Sequence, residues 1–156
     1  EPALDLGAEL LDRARSLGVP VVHIQHDAGV GSPYDVTAEI GRIVDRVAPH
    51  GDEPVLVKNY PNSFVGTELE DHLRRLGRDN VVLAGFMTHM CINSTARGAF
   101  SLGFAPTVVA GATATRRLPG AGGAAGVDAA SLQAASLAAI GDLFGVVVPD
   151  VAALPD

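Results

Sequence analysis

The chain has 156 residues, of which 11 are basic and 18 acidic, giving a formal charge of −7, and 47% are hydrophobic. This describes one globular domain with a core of ordinary size, and no window approaches the roughly 20 unbroken apolar residues of a membrane-spanning helix. An acidic balance with no Trp argues against gripping a nucleic-acid backbone, while one Cys, with no leader-like stretch ahead of Asp5, makes a reducing cytoplasm the expected location.

Leu4, Gly7, Leu11, Ala14 and Leu17 recur at helical spacing and Gly18 stops the run, which predicts a first helix over about residues 3 to 17. The β-branched stretch from Val19 to Gln25 predicts a buried strand, and Asp27 to Asp35, with Gly29, Gly31 and Pro33, a loop at its carboxyl end. Val36, Ile40, Ile43 and Val47 predict a short amphipathic helix ended by Pro49 and Gly51. Val55 to Val57 reads as a second strand, and Leu69, Leu73 and Leu76 as a helix stripe with Gly77 at its C-terminal cap. Val81 to Ala84 gives a third strand, and about Cys91 to Leu102 a helix burying Ile92, Ala96, Ala99 and Phe100. Pro106 to Val109 gives a fourth strand and the Gly/Ala-rich stretch from Gly111 to Gly126 a surface loop. An Ala-rich helix from Asp128 to about Phe144 leads to a fifth strand, Val146 to Val148. Apolar runs alternating with amphipathic ones predict an α/β fold: a single three-layer α/β/α sandwich spanning residues 1–156 around a mainly parallel, Rossmann-like sheet.

In open parallel sheets reactive groups collect just beyond the carboxyl ends of the strands. There the sequence places Gln25, His26 and Asp27 after the first strand, Lys58 after the second, and Gly85 to Cys91 after the third. Cys91 is the only thiol and falls at an expected helix N-terminus, where free N–H groups and the helix dipole favour a thiolate. Adjacent strands lie about 4.8 Å apart, which brings the Lys58 ammonium within reach. Position alone also allows Cys91 as a small buried hydrophobe and Lys58 as a solvated surface residue.

The run Gly85-Phe86-Met87-Thr88-His89-Met90-Cys91-Ile92-Asn93-Ser94-Thr95-Ala96-Arg97 resembles the nucleophile segment of the isochorismatase-like cysteine hydrolases, which include nicotinamidases. That family's pattern is G-x-x-T-x-x-C, a hydrophobic residue, then T-A-R or similar. Lys58 followed by Ser63-Phe64-Val65-Gly66-Thr67-Glu68-Leu69 resembles its second motif, a Lys before S-A-F-x-G-T-x-L. The resemblance implies hydrolysis of a C–N bond in a small amide through a thioester on Cys91, with Lys58 stabilising the thiolate and the charged intermediate. It also implies a cis peptide between Phe86 and Met87, and an oxyanion hole made by the backbone N–H groups of Met87 and Cys91. Thr88 is expected to fix the turn through its hydroxyl. No cofactor is expected, and the resemblance implies a homodimer or homotetramer, with the Ala-rich last helix available for close packing. A catalytically silent ligand-binding or interaction module, and a vinyl-ether hydrolase of isochorismatase type, are the alternatives.

The resemblance also implies a third catalytic group, an Asp at the end of a strand that precedes the first helix. The expectation is therefore a strand and carboxylate ahead of Glu1, about 20 to 30 residues of chain. Gly111 stands where many relatives carry Asp after the fourth strand, and His89 where many carry Asp after the Thr. Related nicotinamidases hold a metal with an Asp and several His, and the corresponding region here offers His23, His26, Asp27 and Asp35. His23 and His26 are an odd number apart on a strand and leave opposite faces, so no metal site is expected. His23 is expected to be a core residue donating to a backbone carbonyl. His26, Tyr34, Phe64, Thr88 and His89 are the candidates to line a substrate pocket, with core packing the alternative for Phe64 and exposure for the histidines 26 and 89. The glycines complete neither a dinucleotide fingerprint nor a P-loop.

Overall fold

The computed structural model describes residues 1–155. Helix α1 (Pro2–Ser16) carries Pro at its first turn, where the missing N–H costs nothing, and is followed by Gly18 at φ 65°. Strand β1 (His23–His26) pairs in parallel with β2 (Val55–Lys58), so that His26 stands opposite Lys58. The strand predicted from Val19 is thus shorter at its start. Its ladder begins where the His23 N–H donates to the Pro54 carbonyl at 2.9 Å, and Pro20 brings no donor.

Two single 3₁₀ turns, Glu39–Gly41 and Asp45–Val47, replace the helix expected between residues 36 and 47. The physical reason lies in Asp35, whose buried carboxylate accepts from the N–H of Gly31 at 2.8 Å, the N–H of Thr37 at 2.9 Å and the Thr37 hydroxyl at 2.6 Å. A local side-chain bond of this kind diverts the backbone from a helix. Gly41 then lies so close to the Asp35 carbonyl that a Cβ would stand 2.1 Å from its oxygen.

Helix α2 (Leu69–Arg75) is short, and strand β3 (Asn80–Phe86) leads into a wide helical turn, Thr88–Ile92, and on without a break into α3 (Asn93–Ser101). Strand β4 (Ala105–Ala114), helix α4 (Ala129–Gly141) and strand β5 (Val146–Val148) complete the chain's regular elements. The order β3-β4-β5 forms a second parallel sheet. β4 outruns its prediction because, after a register shift, Thr113 and Ala114 pair with Gly85 and Phe86. Gly111 therefore belongs to a strand and not to the loop expected there. α1 crosses it so closely that a Cβ would meet the Leu6 side chain at 2.6 Å.

Alternate residues of β4 serve opposite faces, which builds the expected three layers. Val108 packs with Ile92, Ala96 and Ile140 beneath α3 and α4, while Val109 packs with Ala112, Val151, Leu6 and Leu10 beneath α1. Between β1 and β3 no ladder joins the two sheets among the described residues, and Val82 and Phe86 of β3 are 47% and 52% exposed. No helix among them is long and apolar enough to cross a membrane.

Glu53 fastens α1 to the first sheet. Its carboxylate accepts both a bidentate pair from Arg15 and the His23 Nε2–H, all at 2.8 Å, and the His50 N–H at 2.8 Å. His23 is thus a core histidine, as expected, but its partner is a carboxylate where a backbone carbonyl was anticipated. The Arg15 guanidinium above all, then His50 and His23, hold the Glu53 carboxyl well below its ordinary value of 4.5 against the opposing effect of burial. A depressed carboxyl stabilises the fold above its unfolded value and loses that contribution as pH falls. Glu53→Gln should accordingly cost about 1–3 kcal/mol at neutral pH in urea unfolding. Its stability should also change less than that of the parent as pH falls from about 5 to 3, through and below the ordinary carboxyl value of 4.5, the comparison that checks the carboxylate's part.

Candidate active site

Three chain segments converge at the carboxyl ends of β1, β2 and β3. Lys58, the last residue of β2, is only 3% exposed. An ammonium has three N–H donors and no lone pair. Here each donor has an acceptor: Cys91 Sγ at 3.3 Å, His26 Nδ1 at 3.2 Å and the Tyr60 carbonyl at 2.9 Å. Because the ammonium can only donate, Nδ1 of His26 must be its lone-pair nitrogen, which puts the ring proton on Nε2. Burial first, and the Lys58 charge second, lower the proton affinity of His26, with Asp27 pulling the other way.

Cys91 comes to this point on the wide turn. The Met87 carbonyl accepts from Met90 at 3.0 Å and also from Ile92, five residues on, at 3.3 Å. Turns of this π type recur at functional sites. Cys91 therefore lies within the first stretch of a helical segment that starts at Thr88, whereas the sequence pattern placed it at the helix start itself. The peptide between Phe86 and Met87 is cis, as the resemblance implied.

The second motif explains how the lysine loop is held. The Ser63 N–H and hydroxyl both meet Thr95 Oγ1 on α3, at 3.1 and 3.0 Å, and Thr67 Oγ1 donates to the Ser63 carbonyl at 2.5 Å. Gly98 of α3 admits the Asn62 side chain, whose amide would lie within 2.5 Å of an added Cβ. Asn59 Nδ2 bonds the Asp27 carbonyl at 3.0 Å and so ties the lysine loop to the loop after β1. Sequence reasoning missed the roles of Asn59 and the Tyr60 carbonyl. The two motifs carried Ser63 and Thr95 separately, but nothing in either joined the pair, which lies 32 residues apart.

The other candidates divide. Tyr34 meets the His26 ring edge-on, with centroids 5.5 Å apart, and joins this site. Phe64 instead stacks on Phe104 at 5.7 Å and lines an open groove with Arg97 and Leu102 that neither Cys91 nor Lys58 lines. Thr88 is fully buried and its hydroxyl has no hydrogen-bond partner, so it does not fix the turn as expected. His89 bonds Thr115 just beyond β4 through Nδ1, and burial, with Arg116 nearby, lowers its proton affinity.

Among the described residues no three His, Cys, Asp or Glu side chains are grouped as metal ligands. His23 goes to Glu53 and His26 to Lys58, while the Asp35 carboxylate is spent on its own turn and Asp27 Oδ1 on the Gly29 N–H at 2.9 Å. What the arrangement offers is a sulfur nucleophile against a buried, immobilised cation, a pairing suited to attack on a polarised carbonyl carbon.

Comparison with known proteins places the chain in a family. A family model described as an isochorismatase domain matches residues 4–148. The secreted isochorismatase effector Isc1 of Verticillium dahliae is 34% identical over 142 residues, covering 90% of this chain and 72% of that protein. Maleamate amidohydrolase of Pseudomonas putida is 34% identical over 128 residues, 69% of this chain and 57% of the enzyme. Among solved structures, an isochorismatase from Pseudomonas putida superposes with a TM-score of 0.92 at 33% identity, over 98% of this chain and 78% of that one. With that family model matching residues 4–148 and the Isc1 effector 34% identical over 90% of this chain, the chain belongs to the isochorismatase family of hydrolases.

Proposed function

We propose that this protein is a cysteine hydrolase that cleaves the C–N bond of a small amide. The observation that carries this reading is the 3.3 Å contact from the buried Lys58 ammonium to Cys91 Sγ, the single thiol of the chain. The Cys91 thiolate attacks the amide carbonyl carbon, and the oxygen gathers negative charge opposite the backbone N–H groups of Met87 and Cys91. The C–N bond then breaks, the amine leaves with a proton, and Cys91 holds the acyl group as a thioester. Water attacks that thioester, releasing the carboxylic acid and restoring the thiolate. An amidohydrolase among the relatives supports an amide as substrate. A single thiol acting as nucleophile suits a reducing compartment such as the cytoplasm.

Proton transfer to the leaving amine and from the water needs an acid–base group. Among the described residues the nearby carboxylates, Asp27 and Asp35, are committed to turns.

Ammonia release from a panel of small primary amides tests the reaction. Cys91→Ala should lose turnover by about a thousandfold or more while unfolding in urea like the parent, and denatured-protein mass spectra should show the acyl adduct on Cys91 in the parent only. Normal turnover by Cys91→Ala overturns the covalent route. Lys58→Met fills a similar buried volume without the charge. It should alkylate with iodoacetamide about tenfold more slowly at pH 7 while keeping its urea midpoint.

A further inference from the structure

We infer that His26 is a positioning residue, a neutral imidazole whose Nδ1 lone pair holds the Lys58 ammonium in place against Cys91 Sγ. The inference rests on the cysteine-hydrolase reading of Lys58 and Cys91 and gives His26 a task other than touching substrate. Its geometry follows from the strand register. His26 and Lys58 are paired residues of adjacent parallel strands, so their side chains leave the same face, and Nδ1 and Nζ meet at 3.2 Å. Tyr34 closes the other side of the ring edge-on and limits its rotation.

The charged and titratable groups around the ring are Lys58 on β2, Asp27 next in the chain, Tyr34 on the following loop and, beyond Lys58, Cys91 on the turn. Asp27 accepts the Gly29 N–H through Oδ1, while the three Lys58 donors go to His26, Tyr60 and Cys91. Protonating Nδ1 would turn an acceptor into a donor facing a donor and set two cations 3.2 Å apart in a buried place. The ammonium would then be displaced from the sulfur. Burial and Lys58 both favour the neutral ring, so the arrangement holds through neutral pH and fails as pH drops below the ordinary histidine value of 6.5.

The test follows iodoacetamide alkylation of Cys91 against pH from about 4.5 to 8, which needs no substrate. A thiol alone gives a one-proton fall toward acid, and His26 should add a second, so the parent profile steepens below pH 6.5. His26→Asn puts a non-titrating side-chain oxygen near the position of Nδ1. It should keep the rate at pH 7.5 within about threefold of the parent and show the one-proton slope only. His26→Leu removes the acceptor and should slow alkylation about tenfold at that pH. Equal slopes for parent and His26→Asn, or a His26→Leu rate equal to the parent's, overturn the inference. Urea unfolding monitors both variants, and if the Leu variant does not fold, the Asn slope decides alone. A steep parent profile together with normal turnover by Cys91→Ala would remove the hydrolase reading and leave the His26–Lys58 coupling standing.

Discussion

Everything at the carboxyl ends of the strands is arranged around one buried ammonium. Taking a lysine out of water costs several kcal/mol unless each N–H finds an acceptor. Lys58 finds three, and they come from three separate pieces of chain: the turn after β3, the end of β1 and the loop after β2. A shift in any one piece would strand a charged donor. This is why so much of the surrounding polar bonding is loop to framework: Ser63 to Thr95 on α3, Asn59 to the Asp27 carbonyl, and Gln25 of β1 to the Gly41 carbonyl at 2.6 Å. Each fixes the backbone that delivers one of the acceptors.

The hydrophobic core does a different part of the work. Its two clusters lie on opposite faces of β4, in the other sheet from β2, and the one beneath α3 and α4 positions the turn carrying Cys91 through Ile92 and Ala96. The β1–β2 pair has little apolar cover of its own. It is tied to the rest by Arg15, Glu53 and His23, a charged cluster on the α1 side, and by the Lys58–Cys91 contact on the other. The site thus spans two sheets whose relative placement depends on polar contacts, which makes the charge states of Glu53 and His26 matter to geometry as well as to local bonding.

These features were unequally legible in the sequence. Lys58 and Cys91 were legible because they sit at strand ends, where a parallel sheet gathers chemistry, and the cis peptide only through the resemblance of its segment to the family's nucleophile motif. The layers followed from apolar runs alternating with amphipathic ones. The region from 36 to 47 misled because the helical spacing of Val36, Ile40, Ile43 and Val47 competes with Asp35, whose carboxylate claims the backbone first. β4 was read short since Gly111, Ala112 and Ala114 look like loop composition; only the crossing of α1 and the pairing with Gly85 and Phe86 show why small residues stand in a strand. Phe64 lies in a motif beside the lysine yet turns to Phe104, and the Glu53 cluster left no local trace because Arg15 and His23 are 38 and 30 residues from it. Partners that distant leave no periodicity behind.

Charge balance links these observations. Every described carboxylate near Lys58 already serves a turn, which leaves the ammonium facing the Cys91 sulfur with no described carboxylate between them. A cation held by two neutral acceptors, the Nδ1 of His26 and the Tyr60 carbonyl, keeps its charge available to that one partner. Were either neutral acceptor replaced by a carboxylate, the ammonium would be neutralised before it met the sulfur. Were one replaced by a second cation, the ammonium would be repelled. A neutral histidine beside the lysine meets both conditions, and it does so only while its ring carries one proton.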